Sequence, residues 1–210
     1  MSDTKASIRA RMSQRRSVVT PHWITRESNR VQSAVIEWAE FERARAVACY
    51  IALSDEVQTS RIIEAAHATG KRVRVPAFDR ESNAYRFCSV EVNTPIALGP
   101  FQVPEPASPE WIDGEFIDLA IVPGVSFDTT GARLGHGKGY IDRLLKRYAD
   151  SIGATTGLAF DFQIVEDVPM HESDVGLDFI VSTPPAAGME VGGVIRCVPD
   201  RQISYEGGNQ

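Results

Sequence analysis

The residues best suited to chemistry form a short glycine-rich stretch, "RLGHGKGYIDR", at residues 133–143. Its key members are three glycines and two cations: Gly135, Gly137, Gly139, Arg133 and Lys138. Glycines lack a Cβ atom, so the backbone N–H groups beside them can approach an anion closely. Arginine grips phosphate with two parallel hydrogen bonds, whereas lysine supplies a mobile point charge. The stretch predicts a phosphate-binding loop, with a flexible surface loop of glycine turns as the alternative.

The pattern differs from two familiar phosphate loops. A Walker A loop ends in Gly-Lys followed by Ser or Thr, but here Lys138 is followed by Gly139, so the magnesium-binding hydroxyl is missing. The dinucleotide fingerprint is G-x-G-x-x-G, whereas this stretch has G-x-G-x-G. The anion site predicted here therefore belongs to neither type.

Asp142 lies in the first turn of the helix predicted after the glycines, and two interpretations of it stay open. An acidic side chain there complements the positive end of the helix dipole. It would also suit Mg²⁺ beside phosphates, because that ion favours one or two carboxylates plus water and phosphate oxygens.

Strands and helices alternate around this loop. The apolar run "AVACYIAL" (46–53) predicts a strand, "SRIIEAAHATG" (60–70) a helix and "KRVRVPAF" (71–78) a second strand, which is a βαβ unit. The buried strand "FIDLAIVPG" precedes the loop, and "YIDRLLKRY" follows it as a helix. We expect an α/β fold with layers, in which helices flank a largely parallel sheet. Ligands usually bind at the carboxyl ends of such strands.

The two ends of the chain and its middle differ from this pattern. Residues 4–43 have the apolar spacing of helices, and Thr25 or Ser28 could cap one of them. Residues 93–115 are rich in Pro and Gly and predict a long irregular segment. We expect one domain over 1–210, with a loose tail from about 203 to 210.

The amino-acid composition limits the classes of function that the chain could have. Hydrophobic residues make up 43% of the 210 residues and charged residues 24%, which is ordinary for a soluble protein. The net charge of −6 speaks against general nucleic-acid binding. Three widely spaced cysteines favour a reducing cytoplasm, and the four histidines lack zinc-site spacing. No run reaches the roughly 20 apolar residues of a membrane span, and residues 1–20 lack the apolar core of a secretory signal.

The basic start of the chain has several interpretations. Seven Lys or Arg and one acid, Glu27, lie between Lys5 and Arg30. This pattern is typical of the solvated face of amphipathic helices, but it also fits an anion site, an organelle transit peptide or a nucleic-acid contact.

Several ordered motifs resemble those of the 5-formyltetrahydrofolate cyclo-ligase family over roughly residues 5–183. The glycine stretch within "PGVSFDTTGARLGHGKGYIDRLL" resembles the family signature, and "KASIRARMSQRR" resembles its Lys-x-x-x-Arg helix. "YIALSDEVQT" and "GPFQVPEP" resemble its strand ending in glutamate and its substrate loop. "GLAFDFQIVEDVPMHESD" resembles its closing segment. The resemblance implies a fold of the sugar-phosphate isomerase or CoA-transferase type. It also implies closure of 5-formyltetrahydrofolate to 5,10-methenyltetrahydrofolate, driven by ATP and Mg²⁺.

The resemblance also implies roles for individual residues. Arg133 and Lys138 would be the catalytic cations that act on the transferred phosphoryl group. The ATP contacts would be Lys5, Arg9, Arg133, Leu134, Gly135, His136, Gly137, Lys138, Gly139, Tyr140 and Ile141. The folate contacts would be Ile51, Glu56, Phe101, His136, Gly137, Lys138, Gly139 and Tyr140. The Mg²⁺ ligands would be Asp142 and Asp174, the latter being otherwise a carboxylate that caps a loop.

Two positions depart from the family pattern, which often has tyrosine where this chain has Ile141 and histidine or asparagine where it has Ser173. The alternatives are therefore an ATP-dependent relative acting on another folate or N-formyl compound, and a non-catalytic nucleotide- or folate-binding module. The expected partners are small molecules, with neither nucleic acid nor membrane. The chain is expected to be a monomer or homodimer.

Overall fold

The computed structural model describes residues 3–183 and 193–197 of the chain. The helices are α1 (Lys5–Ser17), α2 (Pro21–Ile36), α3 (Ala39–Arg43), α4 (Ser60–Ala68) and α5 (Tyr140–Arg147). The strands are β1 (Ala46–Cys49), β2 (Arg72–Asp79), β3 (Ala84–Val90), β4 (Ile96–Leu98), β5 (Pro104–Pro106), β6 (Glu110–Trp111), β7 (Ile117–Val122), β8 (Ser126–Phe127), β9 (Arg133–Leu134), β10 (Ile152–Ala159), β11 (Phe179–Ser182) and β12 (Val194–Arg196).

Eight strands form one sheet in the order β12-β11-β10-β7-β1-β2-β3-β6. Its centre is parallel, because β1 pairs in parallel with β2 and β7, and β10 with β7 and β11. Its flanking strands β3, β6 and β12 are antiparallel to their neighbours. The predicted α/β fold with a largely parallel sheet is therefore confirmed.

The first two helices begin where a threonine supplies a cap. The Thr4 side chain accepts a hydrogen bond from the Ser7 N–H at the start of α1. Thr20 does the same for the Trp23 N–H, and Pro21 takes the first helical position, where its missing N–H costs nothing. The prediction that Thr25 or Ser28 caps this helix is wrong, because the helix already begins at Pro21.

Helix α1 packs against the hairpin that leads into the glycine stretch. Ile8 and Met12 are buried in a small apolar cluster with Val125 and Leu134. Since Ile8 and Met12 lie one helical turn apart, the face of α1 beside them is fixed relative to β8 and β9. The basic residues of α1 are thereby held next to the glycine stretch.

Two of the predicted segments differ in detail. The run at 46–53 is a strand only as far as Cys49, and its remainder contributes to the cavity described below. The segment at 93–115, predicted as irregular, contains the β4/β5 hairpin and the edge strand β6. The predicted tail at 203–210 lies outside the described residues. The single domain over 1–210 stays a prediction.

No helix among the described residues combines the length and apolar character that crossing a membrane requires.

We expect Gly157→Ala to destabilise the protein. Gly157 lies on the central strand β10, and a Cβ atom there would lie 2.3 Å from the buried Phe127 ring. Overpacking of this kind costs about 1–3 kcal/mol, which lowers Tm by roughly 2–10 °C in a chain of this size.

Thermal unfolding followed by circular dichroism checks this expectation. Gly176→Ala is the matched control, because its Cβ would come no closer than 3.9 Å to a neighbouring atom. A Gly157→Ala variant as stable as the control would contradict the packing described here.

Candidate functional site

A cavity of about 380 Å³ opens at the carboxyl ends of β1 and β7, beside the glycine stretch. It is lined by Tyr50, Ile51, Leu53, Glu56, Pro76, Tyr85, Phe101, Val103, Pro104, Pro123, Gly124, Arg133, Gly135, His136, Lys138, Gly139, Tyr140, Ile141 and Asp142. The topology accounts for its position, because residues that follow adjacent parallel strands meet at the same edge of a sheet. Most of the residues predicted to bind ATP or folate line this cavity.

The glycine stretch leaves β9 and enters α5 with a backbone that two of its glycines permit. Gly137 has φ +96° and Gly139 has φ +63°, values in the left-handed region that L side chains rarely adopt. Gly139 is the N-cap of α5 and no side chain caps this helix end. The N–H groups of the first turn are therefore open to an anion, as the sequence predicts.

Helix α1 meets the glycine stretch from its other flank. The Arg9 Nε donates to the Gly135 carbonyl oxygen at 2.9 Å, and the Arg9 guanidinium lies beside Gly137. Lys5, one turn earlier, forms an ion pair with Asp174. Lys5, Arg9 and Asp174 do not line the cavity, but all three lie around the loop that forms its wall.

The two predicted metal ligands are brought to the same end of α5. Asp142 accepts from Arg133 Nη2 at 2.7 Å and from the Val175 N–H at 3.2 Å, which places it next to the segment that carries Asp174. Partial burial alone would raise the pKa of Asp174, but hydrogen bonds from Lys5 and from the His171 N–H hold it below its usual value. The Asp174 carboxylate is therefore negatively charged at neutral pH.

These two carboxylates fit Mg²⁺ held jointly with phosphate. All the hydrogen bonds they accept within the described residues go to Asp142 Oδ1 and Asp174 Oδ2, so each side chain keeps one oxygen for a cation. Within residues 3–183 and 193–197, no cluster of three or more His, Cys, Asp or Glu side chains forms a metal site. Two carboxylates with the remaining ligands from water and phosphate is the way proteins usually bind Mg²⁺.

Arg133 is the most buried cation of the site, with 2% of its side chain exposed. Its Nη2 atom pairs with Asp142, while its Nε has no hydrogen-bond partner among the described residues. A buried guanidinium with unused donor capacity can bind an anion without being reorganised. This arrangement fits its predicted contact with a phosphoryl group.

Glu56 also lines the cavity, from the turn that follows β1. Its Oε2 atom accepts from the Leu53 N–H at 2.9 Å, and the residue is buried. Burial raises the pKa of Glu56, while this hydrogen bond and the Arg16 charge oppose the rise. A buried carboxyl group in an apolar cavity is suited to N–H donors on a heterocyclic ring.

Aromatic rings form a further part of the cavity wall. The Tyr140 ring lies 5.2 Å from Phe101 and 5.4 Å from Tyr85, measured between centroids, and Phe78 contacts all three. Phe101 lines the cavity and is 56% exposed, so part of its ring faces solvent. Such rings provide flat apolar contacts for a planar ligand.

Leu134, predicted to bind ATP, and Gly137, predicted to contact both ATP and folate, do not line the cavity. The Leu134 side chain is buried against Ile8 and Met12, so only its main chain is available to a nucleotide. Gly137 instead faces Arg9.

The sequence reasoning missed several residues of the site. The main ones are Tyr50, Leu53, Tyr85, Val103, Pro104, Pro123, Gly124 and, beside the cavity, Arg16. The seven-residue spacing between Arg9 and Arg16 is a signal for Arg16, because it places both on one face of α1. Tyr85 has no such signal, since it is distant in sequence from every predicted site residue.

Known proteins resemble this chain over most of its length. A sequence model described as the 5-formyltetrahydrofolate cyclo-ligase family matches residues 1–183. A probable 5-formyltetrahydrofolate cyclo-ligase of Caenorhabditis elegans is 31% identical over 193 residues, which are 85% of this chain and 92% of that protein. The 5-formyltetrahydrofolate cyclo-ligase of Mus musculus is 28% identical, with 86% of this chain and 94% of that protein covered.

A solved structure agrees with these sequence relatives. The NMR structure of 5,10-methenyltetrahydrofolate synthetase from Aquifex aeolicus superposes with a TM-score of 0.75 at 28% identity. The superposition covers 98% of this chain and 99% of the other.

We expect Asp142→Asn to destabilise the fold by about 3 kcal/mol, because it leaves the buried Arg133 without its charged partner. Urea unfolding measures the loss. The matched control is Asp113→Asn, which removes a charged partner of Arg86. The Asp113 side chain is 69% exposed. Its cost should stay below about 1 kcal/mol. Equal costs for the two variants would show that the Arg133–Asp142 pair does not organise the site.

Proposed function

Because the chain belongs to the 5-formyltetrahydrofolate cyclo-ligase family, we propose that it converts 5-formyltetrahydrofolate and ATP into 5,10-methenyltetrahydrofolate, ADP and phosphate. The observation that carries the proposal is the position of the glycine stretch. It stands between the cations and carboxylates beside α1 and the aromatic cavity that ends at Glu56. A site with one side rich in charged groups and one apolar side suits a nucleotide and a folate that react with each other.

The nucleotide lies on the side of α1 and the first turn of α5. Lys5, Arg9, Arg133 and Lys138 supply positive charge for the phosphates, together with the N–H groups of residues 135–141. Mg²⁺ held by Asp142 and Asp174 would offset the negative charge of the phosphate oxygens. The Arg133–Asp142 pair links these two sets of contacts.

The folate occupies the cavity. Glu56 accepts hydrogen bonds from the N–H groups of the pterin ring, and Ile51 packs on that ring. Phe101 and Tyr140 contact the aromatic part of the substrate, whereas Ile141 contributes an apolar surface. His136, Lys138, Gly139 and Tyr140 would contact both ligands, because they form the wall that the two share.

The reaction needs alignment more than it needs a protein nucleophile. The γ-phosphoryl group passes to the formyl oxygen. The bond between the γ-phosphorus and the β-phosphate oxygen breaks in this step, and ADP is released. The N10 atom then attacks the formyl carbon and loses its proton, and the formyl oxygen leaves as part of phosphate. Arg133 and Lys138 are the groups placed to neutralise charge on the transferred phosphoryl group.

The setting of this activity is also part of the proposal. The buried free thiols Cys49, Cys88 and Cys197 support a reducing, cytoplasmic location. The proposed partners are small molecules, with no nucleic acid and no membrane, and the proposed active form is a monomer or homodimer of one domain.

The proposal is tested by incubating purified protein with 5-formyltetrahydrofolate, ATP and Mg²⁺ and following the long-wavelength absorbance of the methenyl product. We expect product only with ATP, and ADP in equal amount. An absence of product in protein that still binds both ligands would refute the proposed reaction. Turnover of a different N-formyl compound would instead support an altered specificity near Ile141.

The same assay tests the role of Lys138. We expect Lys138→Ala to raise KM for ATP about tenfold or more, because a charge-assisted hydrogen bond contributes about 1.5–3 kcal/mol. Lys146→Ala, an exposed lysine at the other end of α5, should leave KM for ATP unchanged. Normal turnover of the Lys138 variant at limiting ATP would contradict its assignment.

A further inference from the structure

Arg16 is a cation close to the cavity to which the proposed reaction gives no task. Its side chain is only 10% exposed, although it lies near the end of α1. Burial of a guanidinium costs free energy unless its donors are satisfied. The hydrogen-bond partners of Arg16 therefore indicate which parts of the structure its side chain stabilises.

Two hydrogen bonds join Arg16 to two separate cavity walls. Nη1 pairs with Asp55 Oδ2 at 3.2 Å, and Nη2 donates to the Gly124 carbonyl oxygen at 3.2 Å. Asp55 precedes Glu56 in the turn after β1, and Gly124 follows β7. Since β1 and β7 are neighbouring parallel strands, Arg16 holds together the two segments that leave them at the cavity edge.

The position of the Gly124 segment is well defined. Its carbonyl oxygen also accepts from Gln163 Nε2 at 3.0 Å, and a Cβ atom on Gly124 would lie 2.4 Å from the Phe127 ring. The turn at Asp55 is anchored on one side, where Val57 is buried in the core and the Gln58 N–H donates to Ser28 Oγ, whereas its hydrogen bonds around Glu56 are local. Arg16 thus ties the Asp55 side of this turn to the packed Gly124 segment, directly next to Glu56.

The positive charge of Arg16 also affects the pKa values of two groups at the cavity, Glu56 and His136. It opposes the rise that burial causes in the pKa of Glu56, which favours the carboxylate form. Desolvation lowers the pKa of His136, and the Arg16 charge lowers it further, which favours a neutral imidazole. A carboxylate accepts hydrogen bonds from the N–H groups of an uncharged heterocycle. A neutral imidazole can donate one hydrogen bond and accept another.

We propose that Arg16 is a positioning residue for the folate side of the site, which fixes the Glu56 turn against the Gly124 segment. This inference rests on the proposed function for the identity of the ligand. It separates the roles of α1, because Lys5 and Arg9 serve the nucleotide whereas Arg16 serves the folate. The loss of Arg16 should therefore weaken folate binding selectively.

The test compares Arg16→Ala, Arg16→Lys and the control Arg15→Ala, whose exposed side chain is adjacent on the same helix. Isothermal titration gives Kd for 5-formyltetrahydrofolate without ATP, and steady-state assays give KM for each substrate. We expect Arg16→Ala to weaken folate binding at least about tenfold while KM for ATP changes less than about twofold. Lysine keeps the charge but cannot span both acceptors, so Arg16→Lys should recover only part of the affinity.

Two results would overturn the inference: unchanged folate affinity in Arg16→Ala, or an equal loss for folate and ATP, which indicates a general structural role. If Arg16→Ala does not fold, Asp55→Ala removes the same ion pair from its exposed partner and should also weaken folate selectively. A wild-type chain that binds folate without forming product counts against the proposed reaction. The comparison of folate affinities still decides the role of Arg16 in that case.

Discussion

The buried ion pair between Arg133 and Asp142 is the interaction on which the rest of the site depends. It joins the strand before the glycine stretch to the first turn of the helix after it, so the residues between them form a closed loop. A loop of glycines has high conformational entropy when its ends are free. With its ends fixed, its N–H groups keep one arrangement, and binding an anion costs little further ordering. The same pair holds Asp142 beside the segment that carries Asp174.

This constraint explains how one short loop can serve two ligands. Helix α1 contacts it from one flank through Arg9, while the cavity with its aromatic rings and Glu56 opens beyond it. A nucleotide phosphate bound against this loop and a folate bound in the cavity would then lie next to each other. Phosphoryl transfer depends on such alignment more than on any reactive side chain. The chain accordingly places cations and carboxylates, rather than a nucleophile with a base, around the glycines.

Much of this organisation could be predicted from local sequence patterns. The residue types and spacing in 133–143 indicate phosphate, and the alternation of apolar segments predicts the parallel centre of the sheet. The position of Lys5 and Arg9 on one face of α1 follows from their spacing of four residues. The role of Tyr85 does not, because it depends on the antiparallel register of β2 and β3. The hairpin at 96–106 was also hidden, since strands of three residues are too short to show periodicity. The burial of Leu134 depends on where α1 packs, which no local pattern specifies.

The proposed reaction requires the formyl oxygen of one ligand to bond to the γ-phosphorus of the other beside this loop. The fate of that oxygen tests it most directly. 5-Formyltetrahydrofolate labelled with ¹⁸O in its formyl group is turned over with ATP, and the phosphate released is analysed by mass spectrometry. If the γ-phosphoryl group passes to the formyl oxygen, the label appears in phosphate, because that oxygen leaves bonded to phosphorus. Phosphate without the label, formed together with the methenyl product, would contradict it.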